Sequence, residues 1–263
     1  MAGKVIVVTS GKGGVGKTTT TANLGTALAQ KGHSVVLIDA DIGLRNLDVV
    51  MGLENRIVYN LVDLIEGKCR KQQALIRDRK LSKLAIIPAA QTREKSAVNP
   101  EQMKELCADL ANDFDFVFID CPAGIEGGFR NAVAGASTAV VVTTPEVSAI
   151  RDADRVVGIL EANLLHDIHL IINRMNLKMV KKGDMMSTQD IVALLSIPLL
   201  GVVPESEEVV ISTNRGVPLV HDHASRAGRA FQNIAARLNG EDVPPDDEQP
   251  EGFLGKFKRM HWS

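Results

Sequence analysis

The chain has 263 residues, 45% of them hydrophobic and 24% charged, enough to bury a core without disulfide or metal support. Thirty basic residues against 32 acidic ones leave a net charge of -2, which excludes a global positive field for holding nucleic acid. No stretch approaches the ~20 apolar residues that span a bilayer, and the apolar run from Val5 to Val8 is too short for a secretory signal, so a cytosolic chain is expected.

Short β-branched runs alternate with segments of helical period. Residues 5–9 predict the first strand, and after a glycine-rich loop residues 18–30 predict a helix that Gly32 stops. Strands are predicted over 34–38 and 84–87, then a helix over 100–111 with Asn99 as its cap. Strands at 116–119 and 139–142 precede a helix over 146–160. A strand at 168–172, a helix over 188–195, a strand at 199–203 and a helix over 224–238, stopped by Gly240, complete the series. The alternation predicts an α/β domain over 1–240, with a mostly parallel twisted sheet and helices on both faces. Ligands of such sheets sit at the carboxyl ends of the strands. Cys69, Cys107 and Cys121 lack the spacing of a disulfide framework or zinc cluster and are expected to be reduced and mostly buried.

After Gly240 the composition changes. Residues 241–251 carry six acids, three prolines and one apolar residue, the make-up of a solvated linker. Residues 252–263 are basic and apolar together. On a helical wheel Phe253, Leu254, Phe257 and Met260 share one arc, with Lys256 and Lys258 on its flanks and Arg259 opposite, the layout of an interfacial membrane helix. Trp262 falls off this face, and Gly252 and Gly255 each weaken the helix by about 1 kcal/mol, so the peptide should be unfolded in water. Burying four apolar side chains gives about 6 to 10 kcal/mol gross, of which ordering the peptide removes a large share. Each cation adds about 1 kcal/mol near an anionic leaflet. One tail is therefore a marginal anchor, whereas two on one dimer gain roughly 10² to 10⁴ through effective concentration.

The chemistry is concentrated between Gly11 and Thr19. Gly11, Lys12, Gly13, Gly14, Val15, Gly16, Lys17 and Thr18 fit GxxxxGK[ST], between a predicted strand and a predicted helix, the context this phosphate-binding loop requires. The fold expected is that of a P-loop NTPase, with successive N–H groups and the positive end of the helix aimed at the phosphates of ATP. Lys17 is placed to reach the β- and γ-phosphates, and the Thr18 hydroxyl to bind Mg²⁺. Asp39 ends the second strand with Asp41 two residues on, and Asp120 closes another apolar run. Together these acids can hold a hydrated Mg²⁺ and orient an attacking water, although each alone could be a cap. Gly43, Gly124 and Gly127 follow them, as switch hinges or as ordinary turn glycines.

The extra lysine, Lys12, gives the deviant loop KGGVGKT, and here the sequence resembles the ParA/MinD group of ATPases. The stretches DIGLRNLD (41–48), PAGIE (122–126) and TPEVSAIRDADR (144–155) are similar to the MinD branch of that group, and the similarity covers essentially the whole chain. The resemblance implies an ATP-dependent homodimer in which Lys12 reaches the partner protomer's phosphates. It further implies that Asp41 positions water, that Asp39 and Asp120 act through the metal's water shell, and that Asn173 and Pro204 contact adenine. The role implied is placement of the division septum from the cytoplasmic face of the inner membrane, with MinC recruited and a MinE-type stimulator of hydrolysis. Arg151, Asp152 and Asp154 offer a polar helix face to such partners. Two alternatives stay open: a ParA-like or FlhG-like positioning ATPase, and a nucleotide-gated carrier resembling the nitrogenase iron protein. The first, in its DNA-binding form, would need a basic domain surface, and the second a pair of cysteines at a dimer axis.

Overall fold

The computed structural model describes residues 2–94 and 97–244. The tail residues Phe253, Leu254, Lys256, Phe257, Lys258 and Met260, and the acidic run from 245 onward, lie outside the described residues. In β1 (Lys4–Thr9) alternate side chains face opposite ways, Val5 and Val7 into one core, Ile6 and Val8 into another. A strand buried on both faces is what an unbroken apolar run without polar alternation requires.

The glycine-rich loop leads into α1 (Lys17–Gln30), then β2 (Val35–Asp39), α2 (Leu47–Val50), α3 (Leu61–Ile65) and α4 (Lys71–Ala74). A hairpin of β3 (Ile76–Arg77) and β4 (Leu84–Ile87) follows, then α5 (Pro100–Asp113), β5 (Phe116–Asp120), α6 (Gly127–Ala134) and β6 (Thr138–Thr143). The remainder is α7 (Val147–Ala162), β7 (Ile168–Met175), α8 (Leu177–Lys182), α9 (Thr188–Leu195), β8 (Leu199–Pro204), α10 (Glu207–Asn214) and α11 (Arg226–Leu238). The eight strands form one sheet in the order β3-β4-β2-β5-β1-β6-β7-β8, parallel throughout except where β3 pairs with β4. Helices α1, α2 and α11 bury their apolar sides on one face, and α3, α5, α6, α7 and α9 on the other. Among the described residues no helix is long and apolar enough to cross a membrane.

Helix α1 explains how the loop is held. It is buried from Thr20 to Ala29, between the sheet and α11, so its threonine hydroxyls need internal partners. Thr21 and Thr26 donate to the carbonyls of Lys17 and Ala22, at 3.1 and 2.7 Å, which satisfies them inside the core. Gly25 lets the helix close on β2, since a Cβ there would lie 2.4 Å from Leu37 Cδ2.

The predicted strands and long helices are all present, with ends shifted by a few residues. Helix α11 begins at Arg226 instead of Ala224, because the Ser225 hydroxyl caps it by accepting from the Gly228 amide at 3.2 Å. Strands β7 and β8 run on to Met175 and Pro204, so Asn173 and Pro204 lie within strand ends and not beyond them. The additional elements are short, from two to eight residues: α2, α3, α4, α6, α8, α10 and β3.

Candidate functional site

The loop between β1 and α1 sits at the middle of the sheet, where the strand order reverses. Gly14 and Gly16 have φ of +77° and +102°, a left-handed backbone that L side chains resist. Gly11 is pressed onto α7, for a Cβ there would lie 2.2 Å from the Asp152 carbonyl oxygen. Ser10, buried at the start of the loop, donates its hydroxyl to the Lys12 carbonyl at 2.7 Å and accepts from Lys17 Nζ at 3.0 Å. Lys17, 8% exposed, is thus held inside the loop, and its charge also acts on Asp120. Thr19 is half-buried on the first turn of α1, its carbonyl accepting from Asn23 Nδ2 at 2.8 Å.

Asp39 and Asp120 are register partners at the ends of neighbouring strands, each 1% exposed. Burial pushes both carboxyls above the ordinary range, and for Asp120 the Asp39 charge pushes further. Asp39 is partly compensated by the amides of Leu47, Asp41 and Asn46, at 3.1, 3.0 and 3.1 Å, so residues 41–47 wrap around its carboxylate. Asp120 accepts from the Thr18 hydroxyl, with Thr21 Oγ1 at 3.4 Å. Two buried, mutually repelling acids next to a threonine hydroxyl form an oxygen donor set that a hard divalent cation fits, because its charge would cancel the repulsion. Asp41 is half-buried beside them and raises the pKa of both.

Lys12 bends back within its own chain, where Nζ donates to Glu146 Oε2 at 3.3 Å and Ser148 Oγ at 3.1 Å. Ala123, in the loop after β5, lies 3.7 Å from where a Gly13 Cβ would be, and beneath that loop is a cavity of about 360 Å³. Gly43 and Gly124 are left-handed, with φ of +101° and +91°, so each position demands glycine, while Gly127 simply opens α6.

Residues 6–219 match the family described as the CobQ/CobB/MinD/ParA nucleotide binding domain. The chain belongs to this family. It is 57% identical to a Synechocystis protein named septum site-determining protein MinD, over 92% of this chain and 91% of that one. Among solved structures, the MinC:MinD cell division protein complex of Aquifex aeolicus is 47% identical with a TM-score of 0.86, covering 92% of this chain and 98% of that one. The Pyrococcus horikoshii septum site-determining protein MinD complexed with Mg-ADP is 30% identical with a TM-score of 0.81, covering 90% and 96%.

Within this MinD/ParA frame, the structure brings Lys12, Lys17, Thr18, Asp39, Asp41 and Asp120 to one end of the sheet. Arg151 and Asp154 are exposed on α7, whereas Asp152 is half-buried with its backbone against the loop. Cys107 and Cys121 are buried, and burial pushes both thiols up to about 12, so neither is a ready thiolate. Asn173 has a duty that spacing alone does not reveal. Its Nδ2 donates to the Val15 carbonyl at 2.8 Å, and its Oδ1 accepts from the Arg174 amide at 2.9 Å, which braces the phosphate loop from the end of β7. Asn173→Ala removes a buried bond and leaves the Val15 carbonyl unpaired, so ATP affinity measured by calorimetry should fall about tenfold. An unchanged affinity would show that the brace is dispensable. Glu146 and Ser148, which hold Lys12, also escaped the sequence reading, although both lie in the stretch TPEVS.

Proposed function

We propose that this chain is a Mg²⁺-dependent ATPase that pairs with a second copy on binding ATP and uses the cycle to position the division septum. The observation that carries this reading is the meeting of Lys17, Thr18, Asp39 and Asp120 around a loop that contains a second lysine. Lys17 holds the β- and γ-phosphates, and the loop amides with the start of α1 cradle the rest. Thr18, Asp39 and Asp120 would hold Mg²⁺, which supplies positive charge to the phosphate oxygens. Asp41 positions the attacking water, and Lys12 stabilises developing charge on the nucleotide of the partner protomer. Asn173 and Pro204 form the adenine edge.

Pairing is the control step. A dimer presents two tails, from 252–263 of each chain, and is held on the cytoplasmic face of the inner membrane, while hydrolysis returns single subunits to the cytoplasm. MinC is the partner named in the Aquifex aeolicus complex, and the exposed Arg151 and Asp154 suit a contact with it or with a MinE-type stimulator. Sedimentation of the full chain with anionic vesicles and ATP tests the reading. Phe257→Glu should keep basal hydrolysis and lose sedimentation at least tenfold, since it places a charge in the apolar arc. Sedimentation equal to the parent chain would remove the membrane from the scheme.

A further inference from the structure

Where the chain leaves the domain, the surface gathers cations, most of them outside any ion pair among the described residues. Helix α1 has 14 residues, about 21 Å of helix, so its C-terminus lies far from the phosphate loop. There Lys31 Nζ bonds both carboxylate oxygens of Glu241, at 2.9 and 2.8 Å. Arg237 donates to the carbonyls of Val243 and Pro244, at 3.0 and 2.6 Å, which fixes the start of the acidic run at this end of the sheet.

The β3–β4 hairpin lies alongside. It places Arg77 at the end of β3 and Arg79, Lys80 and Lys83 in the turn that follows, and Arg56 is fastened to it by a 2.7 Å bond to the Arg77 carbonyl. Lys83 Nζ donates to the Gly32 carbonyl at 2.6 Å, directly after α1. His221 sits between the two, bonded to Gln30 at 3.1 Å and held below its usual pKa by burial and then by the Lys80 charge. The nearby acids direct their hydrogen bonds to backbone and hydroxyl groups and not to these side chains, although the Lys83 charge acts on Asp115. Asp78 accepts from the amides of Lys80 and Leu81, both at 2.8 Å, and Asp115 from the amide and hydroxyl of Ser34, both at 2.7 Å. Among the described residues Arg56, Arg77, Arg79, Lys80 and Lys83 make no ion pair, whereas Lys4 has one and Lys71 has two.

Charges on an edge strand can serve merely to block sheet-to-sheet pairing. That role does not account for this set, because β3 is two residues long and Arg79, Lys80 and Lys83 lie in the turn beyond it. In a chain of net charge -2, unpaired cations gathered at the root of a lipid-directed tail fit a negatively charged plane. We propose that this basic edge is a second membrane contact, binding anionic lipid headgroups beside the tail. The inference rests on the tail reading above. The edge adds charge attraction to a feeble anchor and offsets the repulsion that headgroups exert on the six acids of 241–251.

The test uses the full chain with ATP on phosphatidylcholine vesicles carrying increasing phosphatidylglycerol. Arg79→Gln with Lys80→Gln should bind about tenfold more weakly, with a shallower dependence on phosphatidylglycerol and on salt. Basal ATPase without vesicles should not change, and Arg79→Lys alone should bind like the parent chain. Parent-like affinity and salt slope in the Gln pair would reduce the cations to edge-strand guards, and tighter binding would assign the edge to the chain's own acidic run; either overturns the proposal. Phe257→Glu, run in parallel, separates the two readings. If it abolishes binding while the Gln pair stays parent-like, the edge fails and the tail stands. If it binds normally while the Gln pair is weakened, the tail fails and the edge stands.

Discussion

Lys17→Ala will abolish nucleotide-dependent behaviour while leaving the fold intact. Lys17 is 8% exposed, held by Ser10 Oγ at 3.0 Å, and its charge acts on Asp120, so it is the cation that makes a pocket with two buried acids receptive to a triphosphate. Without it the loop amides remain, but the β- and γ-phosphates lose the buried side-chain cation placed to reach them. The effect on turnover should be on the order of 10² to 10³-fold, the scale of losing one strong donor at a site of developing charge. Thermal unfolding gives a cleaner readout. ATP at about 100 times its dissociation constant stabilises the parent chain by roughly 2.7 kcal/mol. In a domain of this size that raises the unfolding midpoint by about 5 to 10 °C. In the variant the rise should vanish, with the nucleotide-free midpoint near that of the parent. A variant that keeps the rise would mean that Lys17 is not what holds the phosphates.

The fold was legible because its strands are buried on both sides. Runs such as Val5–Val8 and 116–119 admit little but the interior of a parallel sheet, and the cap Asn99 marks α5 at its observed start. Helices such as α2, α6 and α10 were not legible, for different local reasons. Helix α2 has only four residues and gains its order from Asp39, which accepts the Asn46 and Leu47 amides from eight residues or fewer upstream. Helix α6 opens on two glycines, and α10 is rich in β-branched residues, so neither carries a propensity signal. Strand β3 is antiparallel and two residues long, shorter than any periodicity can register.

At the site, the sequence carried the acids and lysines because each closes or follows a recognisable run. It did not carry the bonds that cross the fold. Asn173 reaches Val15 from 158 positions away, and Lys12 meets Glu146 and Ser148 from 134 and 136 positions away, contacts that exist only once β1, β6 and β7 lie side by side. The Arg45–Asp48 pair is similar in kind. Asp48 is fully buried in α2 with Arg45 Nε 3.1 Å away, and only the folded loop shows that DIGLRNLD contains an internal charge pair.

Lys12→Ala should separate ATP binding from stimulated hydrolysis. In the single protomer Lys12 is engaged with Glu146 and Ser148, so it must leave them to reach a partner's nucleotide. The energetic balance favours that exchange. Lys12 and Glu146 have side chains 42% and 60% exposed, and an ion pair in such surroundings is worth about 0 to 1 kcal/mol. A cation placed on a transferring phosphoryl group in a closed, water-poor interface is worth about 3 kcal/mol or more. Removing Lys12 should therefore leave the ATP-induced rise in unfolding temperature largely in place, since Lys17 and the loop amides remain. Stimulated turnover on vesicles should fall by about 10² to 10³, with loss of the ATP-dependent dimer in light scattering. Glu146→Gln should do the opposite in kind, freeing Lys12 and leaving stimulated turnover equal to or above that of the parent. If Lys12→Ala hydrolyses ATP under stimulation as fast as the parent chain, its contact with Glu146 and Ser148 is its whole role, and turnover proceeds within each subunit alone.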